Sequence, residues 1–475
     1  MTDRSSLLPQ NLSADETSLK YMLKLAAPMV VMTISFTIMQ FVDRFMISRL
    51  GTEALAAILP AGIISFIPAS FALGVITSVN TLVSQSLGRG QKKQCPTYCW
   101  QAIYMGLAYF LVVITVMWPT APFIFKTMGF EPTVVEMEVT YLRIMLYAQF
   151  LSVFFWSSSR FFMGIHRPII TMYAAMCGQV VNVTANYVLI FGKLGLPAMG
   201  IAGAAWGTFI GVAVQTMIIM TVFLGGNINS QFQSRDGLKL DFGKMTSLLK
   251  VGFPAGFGFM INVAFLGIIL FGLVSKFGNE ASAATSAVFS FINFTIMPIV
   301  GISIALSAAV GKSIGKNRKD MAIKQTSICL KITLVYILLT GLCFILFRNQ
   351  LMAFWSSDDK VIQAGMSIFI YAAIFQIFDA VTIIYNGSLR GAGDTVWLAV
   401  VSSIGAIVIL GLGGIVTVRL FPQLGPSGPW IAATANITAV ALANRWRFNS
   451  KRWMQIDLFK RRPAEVPVEI EAVVE

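Results

Sequence analysis

The chain has 475 residues, of which 56% are hydrophobic and only 12% are charged, and it carries a formal net charge of +14. Soluble proteins contain about a quarter charged residues, so this composition excludes a soluble globular protein and indicates an integral membrane protein. One histidine, His166, and five scattered cysteines can hardly build a zinc site or a Ser-His-Asp hydrolase centre, so we expect neither an enzyme nor a bound cofactor.

Residues 1–20 are polar and contain no apolar stretch, so we expect a cytoplasmic N-terminal tail without a cleavable signal peptide. Twelve apolar segments follow, each long enough to cross a bilayer as a helix of about 20 residues. We therefore predict an all-α polytopic membrane protein with twelve transmembrane helices. The segments are 21–48, 54–86, 97–119, 136–159, 168–192, 200–224, 250–275, 282–311, 327–347, 362–388, 395–420 and 428–448.

Most of the 35 Lys and Arg residues lie in the two tails and in alternate loops, on one side of the predicted bundle. The positive-inside rule makes that side cytoplasmic, so both termini are predicted to be cytoplasmic. Topology and contact with anionic lipid then explain the positive charge, and we expect no nucleic-acid binding. The short polar N-terminal tail and the lack of sorting signals fit a bacterial inner membrane.

The first apolar segment carries a carboxylate, Asp43, two-thirds of the way along, and Gln40 lies almost one turn earlier. Arg44 is adjacent, but neighbouring helical residues point apart, so Asp43 can face the interior while Arg44 reaches the membrane interface. An interfacial charge pair is the alternative. Asp43 is therefore a candidate ion-coupling residue, and Gln40 is a candidate residue of a substrate cavity.

The fifth segment places three amide side chains, Gln179, Asn182 and Asn186, on one face of an apolar helix. Amide oxygens suit a hard cation, so Asn182 and Asn186 are predicted to take part in ion coupling and Gln179 to line the cavity. The alternative is that these amides join neighbouring helices by hydrogen bonds.

The second half of the chain repeats the first at a constant spacing. Each half has six crossings, an even number, so both halves enter the membrane with the same orientation. The halves are therefore predicted to form two six-helix lobes related by a pseudo-twofold axis along the membrane normal. The matching pairs are SRLGTEALAA at 48–57 with SKFGNEASAA at 275–284, SLGRG at 86–90 with SIGKN at 313–317, Gln149 with Gln376, and Gly164 with Gly391.

The repeat also sets the expected domain organisation. A polar linker between the halves has room to let the lobes rock about a central cavity, which is the geometry of alternating access. We expect a transporter that works as a monomer. The predicted units are an N-terminal tail at 1–20, an N-lobe at 21–224, a cytoplasmic linker at 225–249, a C-lobe at 250–448 and a cytoplasmic C-terminal tail at 449–475.

The tenth segment carries Asp379 near mid-bilayer, where a carboxylate costs roughly 2.5–3.5 kcal/mol on insertion scales. No Lys or Arg lies within one turn, and a carboxylate in such a setting retains a proton or takes up Na⁺. We therefore predict that Asp379 couples an ion. The alternative is a protonated structural Asp hydrogen-bonded to another helix. Polar residues predicted to line the cavity are Gln376, Thr382 and Asn386 on the same side, and Asn262 in the seventh segment.

Several stretches resemble signature stretches of the MATE (multidrug and toxic compound extrusion) antiporters, closest to the NorM- and DinF-type bacterial members. The resemblance runs from about 27 to 436. It implies two six-helix lobes that form a V, and export of organic, often cationic compounds against an inward flow of Na⁺ or H⁺. The stretches are FVDRFMISRLGTEALAA, TLVSQSLGRGQKKQ, NVTANYVLIFG with GIAGAAWGT, VGFPAGFGFMIN, and FDAVTIIYNGSLRGAGDT.

The resemblance also implies roles for single residues. Asp43 matches the first-helix Asp of the family's N-lobe cation site, Asn182 matches its fifth-helix Asn, and Thr208 matches its sixth-helix Thr. These three residues therefore form a candidate Na⁺ site. Asp379 matches the tenth-helix Asp that NorM-type members place in the C-lobe.

The chain departs from the family pattern at two positions. Asn186 stands where DinF-type members have Asp, and Asn262 stands where NorM-type members commonly have Glu. On this pattern each lobe has one carboxylate rather than two. We favour H⁺ at Asp379 and leave the ion at Asp43 open.

We therefore expect a secondary antiporter that exports small organic cations from the cytoplasm in exchange for H⁺ or Na⁺ by rocking its lobes. A flippase, or an exporter of a lipid-linked or metabolite substrate on the same fold, is the alternative. A flippase would need a basic cavity to hold phosphate, and the predicted helical cores contain almost no Lys or Arg. A channel would not need two duplicated lobes.

Overall fold

The computed structural model describes residues 16–50, 52–127, 132–265, 267, 271–356 and 358–459. Most of the predicted N-terminal tail and the end of the predicted C-terminal tail therefore lie outside the described residues. The described part of the chain is helical and contains no strand. Eleven of its helices are long and apolar enough to cross a membrane.

The prediction of twelve helices in two lobes is confirmed. The N-lobe helices are α1 (Leu19–Ser48), α2 (Thr52–Gly88), α3 (Cys95–Thr127), α4 (Pro132–Gly164), α5 (Pro168–Phe191) and α6 (Gly200–Leu224). The C-lobe helices are α7 (Phe242–Phe265), α8 (Asn279–Gly315), α9 (Lys319–Leu346), α10 (Asp359–Ala392), α11 (Thr395–Leu420) and α12 (Ser427–Asn449).

Two of the C-lobe helices differ from a plain membrane-spanning α-helix. The middle of α11, Gly405–Leu412, is a π-helix, a form that widens the helical turn. The last helix, α12, forms as predicted but is not among the eleven candidate spans. It packs against α10 inside the C-lobe, where Phe375 contacts Trp430 edge to face with ring centroids 6.2 Å apart.

The two halves share the geometry of their loops. Gly90 and Asn317 correspond in the repeat, and both adopt left-handed backbone conformations, with φ of 76° and 58°. His166 and Gly393 also correspond, and their φ values are 60° and 89°. This region favours Gly and Asn because a Cβ crowds the backbone there. Duplication therefore preserved the turns as well as the helices.

The lobes meet where α2 and α8 end. A Cβ on Gly88 would lie 2.9 Å from the Cα of Gly315, and a Cβ on Gly315 would lie 2.9 Å from the Cα of Gly88. Each would also overlap a carbonyl oxygen of the opposite helix, that of Lys312 or of Gln85. Because Gly88 corresponds to Gly315 and Gln85 to Lys312, the contact is symmetrical and marks the pseudo-twofold axis.

Side-chain hydrogen bonds reinforce this contact between the lobes. Thr81 and Gln85 of α2 donate to the carbonyl oxygens of Arg390 and Gly391 in α10, both at 2.9 Å. His166 also joins the lobes, because its Nε2 lies 3.2 Å from the carbonyl oxygen of Ala308, which can only accept a hydrogen bond. Burial, assisted by nearby positive charge, lowers the pKa of His166 to about 3, so the imidazole is neutral.

The contact between α1 and the C-lobe continues to the middle of α1. Thr33, half-way along α1, donates to the carbonyl oxygen of Met297 in α8 at 2.9 Å. Beyond it, Phe36, Phe41 and Phe45 of α1 are exposed, although they point in different directions around the helix. We name the side that carries the start of α1 and the end of α12 the closed side, because the glycine contact joins the lobes there, and we name the opposite side the open side.

The linker between the lobes is not a free tether. It contains a short helix, Gly226–Phe232, and then runs along the N-terminal end of α3. Trp100 Nε1 donates to the carbonyl oxygen of Ser234, and Tyr104 Oη donates to that of Leu238, both at 2.8 Å. The linker is therefore attached to the N-lobe at Ser234 and Leu238, and the room that it leaves for rocking of the lobes stays a prediction.

We expect Gly88→Ala to weaken the closed side, because the new Cβ would overlap the carbonyl oxygen of Lys312. The measurement is the distance distribution between spin labels on cysteines introduced at the exposed positions Lys93 and Lys324, in a variant without native cysteines. The distribution should shift to longer distances.

Gly62→Ala in the same helix is the matched control, because a Cβ at Gly62 would meet no atom within 4 Å. An unchanged distribution in both variants would show that the glycine contact does not determine closure.

Candidate functional site

Four polar side chains from three helices form a continuous chain inside the N-lobe. Asn186 of α5 donates from Nδ2 to Oδ1 of Asp43 in α1 at 2.7 Å, and the same Nδ2 lies 3.5 Å from Oδ1 of Asn182. Asn182 donates to Oγ1 of Thr208 in α6 at 3.3 Å, and Thr208 donates to the carbonyl oxygen of Ala204 at 3.0 Å. The sequence-predicted residues Asp43, Asn182, Asn186 and Thr208 are therefore brought together.

Asp43 ends this chain without a counter-ion. Arg44 is exposed, and no Lys or Arg of the described residues forms an ion pair with Asp43. Asn186 is fully buried, and its Oδ1 has no hydrogen-bond partner in the part of the chain that the structure describes. The site thus combines a half-buried carboxylate with an unused amide oxygen nearby, which suits a proton or a small cation.

Small residues on α6 make room for the two asparagines. A Cβ on Gly207 would overlap Oδ1 of Asn186, and a Cβ on Gly211 would lie 2.7 Å from the Cβ of Asn182. The two glycines are four residues apart, so they lie on the face of α6 that packs on α5. The position of the asparagines is therefore set by glycines on a different helix.

The atoms that could bind an ion in the N-lobe site are oxygens. No cluster of three or more His, Cys, Asp or Glu that could hold a metal ion is found among the described residues. The N-lobe site instead offers one carboxylate, two amides and one hydroxyl, all oxygen ligands that suit Na⁺ better than a transition metal. The residues therefore fit the predicted Na⁺ site as well as a proton-binding carboxylate.

In the C-lobe, Asp379 lies apart from the other ionisable groups. It is half-buried, and no hydrogen bond or ion pair to it is found in the described part of the chain. Gln376 and Thr382 flank it by about 60° on either side of α10. Gln376 accepts from Thr295 of α8 at 3.1 Å, and Thr382 contacts α12, so Asp379 points between these two helices.

The residues predicted to line a cavity have different surroundings. Gln376 and Thr382 are buried where α10 meets α8 and α12, and each bonds to a neighbouring helix; their place in a cavity wall stays a prediction. Asn386 is half-buried and accepts from Asn444 of α12 at 2.8 Å. The remaining three are less enclosed: Gln40 is exposed on the outer half of α1, and Gln179 and Asn262 are half-buried.

Glu138 of α4 is a buried carboxylate that was not predicted from the sequence. Its side chain is 0% exposed, and neither carboxylate oxygen has a hydrogen-bond partner among the described residues. The signal was present, because Glu138 shares a helical face with the apolar residues Val134, Val135 and Leu142. The N-lobe therefore contains a buried carboxylate besides the half-buried Asp43.

Two arginines that the charge count placed in loops lie inside helices. Arg160 belongs to α4 and Arg390 to α10, because both helices extend beyond their most apolar segment. The Nε of Arg390 is buried and has no partner in the described residues, and Arg160 bonds only to the sulfur of Met163. The helical cores therefore hold more positive charge near the closed side than predicted.

Comparison with known proteins agrees with this architecture. A family model described as MatE matches residues 28–188 and 254–413, once in each half. The protein named "Probable multidrug resistance protein NorM" of Shewanella oneidensis is 27% identical over 93% of this chain and 97% of its own length. The protein of the same name of Bacillus subtilis is 26% identical over 92% and 97%.

A solved structure shares the fold. It is described as an outward-facing conformation of a multidrug resistance MATE family transporter of the MOP superfamily. The TM-score is 0.82 with 19% sequence identity, and the alignment covers 91% of this chain and 96% of the solved one.

We expect Gly207→Ala to destabilise the N-lobe, because its Cβ would displace the amide of Asn186. Overpacking of this kind costs about 1–3 kcal/mol of unfolding free energy. Unfolding by sodium dodecyl sulfate in mixed micelles measures the loss. Gly226→Ala, where a Cβ would meet no atom within 4 Å, is the control. Equal stability of the two variants would contradict the positioning role of Gly207.

Proposed function

Because the chain belongs to the MatE family, we propose that it is a secondary antiporter that exports small organic cations in exchange for H⁺ or Na⁺. The observation that carries the proposal is the Asp43–Asn186–Asn182–Thr208 hydrogen-bond chain inside one lobe of a bundle whose two lobes are joined at the closed side by the contact of Gly88 with Gly315. The names of the relatives, which are multidrug resistance proteins, support the substrate class.

In this proposal the side-chain amide of Asn186 changes its orientation when Asp43 binds or releases an ion. As an anion Asp43 accepts a hydrogen bond, and Asn186 turns its Nδ2 towards it. A protonated Asp43 would instead donate a hydrogen bond, and a Na⁺ bound to Asp43 would need a further oxygen ligand; the unused Oδ1 of Asn186 suits either. Rotation of the amide would exchange the two atoms, and Gly207 leaves the space next to Oδ1 free of a side chain.

Asp379 would act on the substrate in the C-lobe. It has no counter-ion of its own in the described residues, so in its charged form it attracts an organic cation and in its protonated form it does not. Uptake of the coupling ion from the open side then releases the cation there. The lobes close over the empty site and open on the other side, where loss of the ion restores the charge.

The sidedness of this cycle follows from charge. The loops of the closed side carry most of the Lys and Arg, so the positive-inside rule makes it the cytoplasmic side of a bacterial inner membrane. The conformation described here would then be open to the outside, ready to release substrate and take up ions. We propose that a single chain completes the cycle, because both lobes lie in it.

Export of an anionic or lipid-linked substrate is the second candidate. It is favoured by Arg390, whose Nε is buried without a partner in the described residues, and by Arg160, which also lacks a carboxylate partner. Guanidinium groups of this kind suit phosphate. The proposed sites nevertheless contain the carboxylates of Asp43 and Asp379, which would repel such a substrate.

The first test is efflux of a cationic dye from proteoliposomes under a pH gradient or a Na⁺ gradient applied separately. We expect Asp379→Asn to reduce efflux at least tenfold, because the neutral side chain can no longer gain and lose charge. Asp320→Asn is the control, since Asp320 is an exposed carboxylate paired with Arg318 at the start of α9. Full ion-coupled efflux by Asp379→Asn would contradict the proposed role.

The second test asks whether Asp43 binds Na⁺. An ion that binds only the folded protein stabilises it by about 2.7 kcal/mol at a concentration of 100 Kd. We therefore expect replacement of choline by Na⁺ to raise the Tm of the wild-type protein and of Asp379→Asn, but not that of Asp43→Asn. A rise that persists in Asp43→Asn would place the Na⁺ site elsewhere.

A further inference from the structure

We propose that ion pairs of Glu16 and Asp457 hold the two lobes together at the closed side. Glu16 binds the C-lobe and is here named the N-terminal latch, and Asp457 binds the N-lobe and is here named the C-terminal latch. Each carboxylate neutralises a basic residue that closure brings close to the pseudo-twofold axis. The role of the latches in a transport cycle rests on the proposed function, but their effect on lobe closure does not. Both latches would have to break before the closed side opens.

The N-terminal latch binds two lysines of α8. Oε1 of Glu16 accepts from Lys312 at 3.0 Å, and Oε2 accepts from Lys316 at 2.9 Å. Its backbone carbonyl oxygen also accepts from Gln325 of α9 at 3.1 Å. Burial alone would raise the pKa of Glu16, but the hydrogen bonds from Lys316 and Lys312 outweigh it and leave the pKa below its usual value. Glu16 is therefore ionised near neutral pH.

The C-terminal latch joins the lobes the other way, from a residue of the C-lobe to a residue of the N-lobe. Asp457 follows α12 of the C-lobe, and its Oδ1 accepts from Arg89, just beyond the end of α2, at 2.8 Å. The Arg89 guanidinium also lies over the ring of Phe459, 4.3 Å from its centre. Leu458 packs on Gly393, the residue that follows α10, where a Cβ would lie 2.8 Å from Leu458 Cδ1. The segment therefore touches both lobes at once.

The two latches act at equivalent positions of the repeat. Arg89 corresponds to Lys316, and each directly follows a glycine of the axis, Gly88 or Gly315. Closure brings these basic residues together with Lys312, and like charges repel more strongly where little water separates them. Carboxylates in this place would favour closure. Both come from segments that lie outside the duplicated helices.

This arrangement differs from an ordinary surface ion pair. Arg318 and Asp320, also on the closed side, form an exposed pair at 3.1 Å, but they are two residues apart at the start of α9. That pair cannot hold the lobes together, because both partners move with the C-lobe. Glu16 and Asp457, by contrast, connect the N-terminus with α8 and the C-terminus with α2.

The experiment uses the full chain with spin labels at Lys93 and Lys324 and measures the fraction of molecules with the short, closed distance. Arg89→Glu and Asp457→Arg are made singly and together, which reverses the charges of the C-terminal latch. Asp457→Arg adds a positive charge beside Arg89 and should shift the closed-to-open ratio by up to about fivefold towards open, and adding Arg89→Glu to it should restore the ratio. Arg318→Glu and Asp320→Arg, singly and together, are the matched controls.

Glu16→Gln tests the N-terminal latch with a milder change, and it covers the case in which a charge reversal prevents folding. It should shift the closed-to-open ratio in the same direction. The proposal is overturned if Asp457→Arg moves the ratio no more than Asp320→Arg does, or if the added Arg89→Glu fails to restore it in a monodisperse protein. Dye efflux is not needed for this readout, so a failed latch and a failed transport assignment can be told apart.

Discussion

The approach of Gly88 to Gly315 is the contact on which the closed side depends. The two residues correspond in the repeat and lie on its axis, so a single geometry serves both lobes. A side chain at either position would drive apart the ends of α2 and α8, and with them the hydrogen bonds from Thr81 and Gln85 to α10. The glycine contact therefore sets how closely the two lobes approach each other at this side.

Duplication preserved this frame but not the polar interior of the lobes. The positions that correspond to Asn182 and Thr208 hold Ile409 and Ala435, so the C-lobe has no copy of the N-lobe hydrogen-bond chain. Conversely, the N-lobe counterpart of Asp379 is Ser152. Each lobe thus carries a carboxylate that the other lacks. Because of this asymmetry the proposal gives the lobes different roles, with a candidate cation site at Asp43 and a carboxylate that exchanges a proton and attracts the substrate at Asp379.

The features predicted from sequence are those that a short segment encodes. Hydrophobic runs located the helices, and helical spacing put Asn182 and Asn186 on one face. Contacts between distant segments were not encoded in this way. The orientation of Asn186 depends on Gly207 of another helix, and the docking of the linker depends on Trp100. The helix ends were also placed too early, at Arg160 for example, because hydropathy marks the apolar part of a helix and not its polar last turn.

The charge that orients the chain in the membrane also opposes its closure. The positive-inside rule concentrates Lys and Arg at one side, and the pseudo-twofold axis brings equivalent ones, Arg89 and Lys316, towards each other there. If the duplicated helices lost these basic residues, the chain would also lose the charge that orients it in the membrane. Acidic residues in the terminal segments can offset the repulsion instead, because these segments lie outside both the repeat and the membrane-spanning helices. Glu16 and Asp457 lie where such residues are needed, so the chain ends belong to the mechanism of closure as much as the helices do.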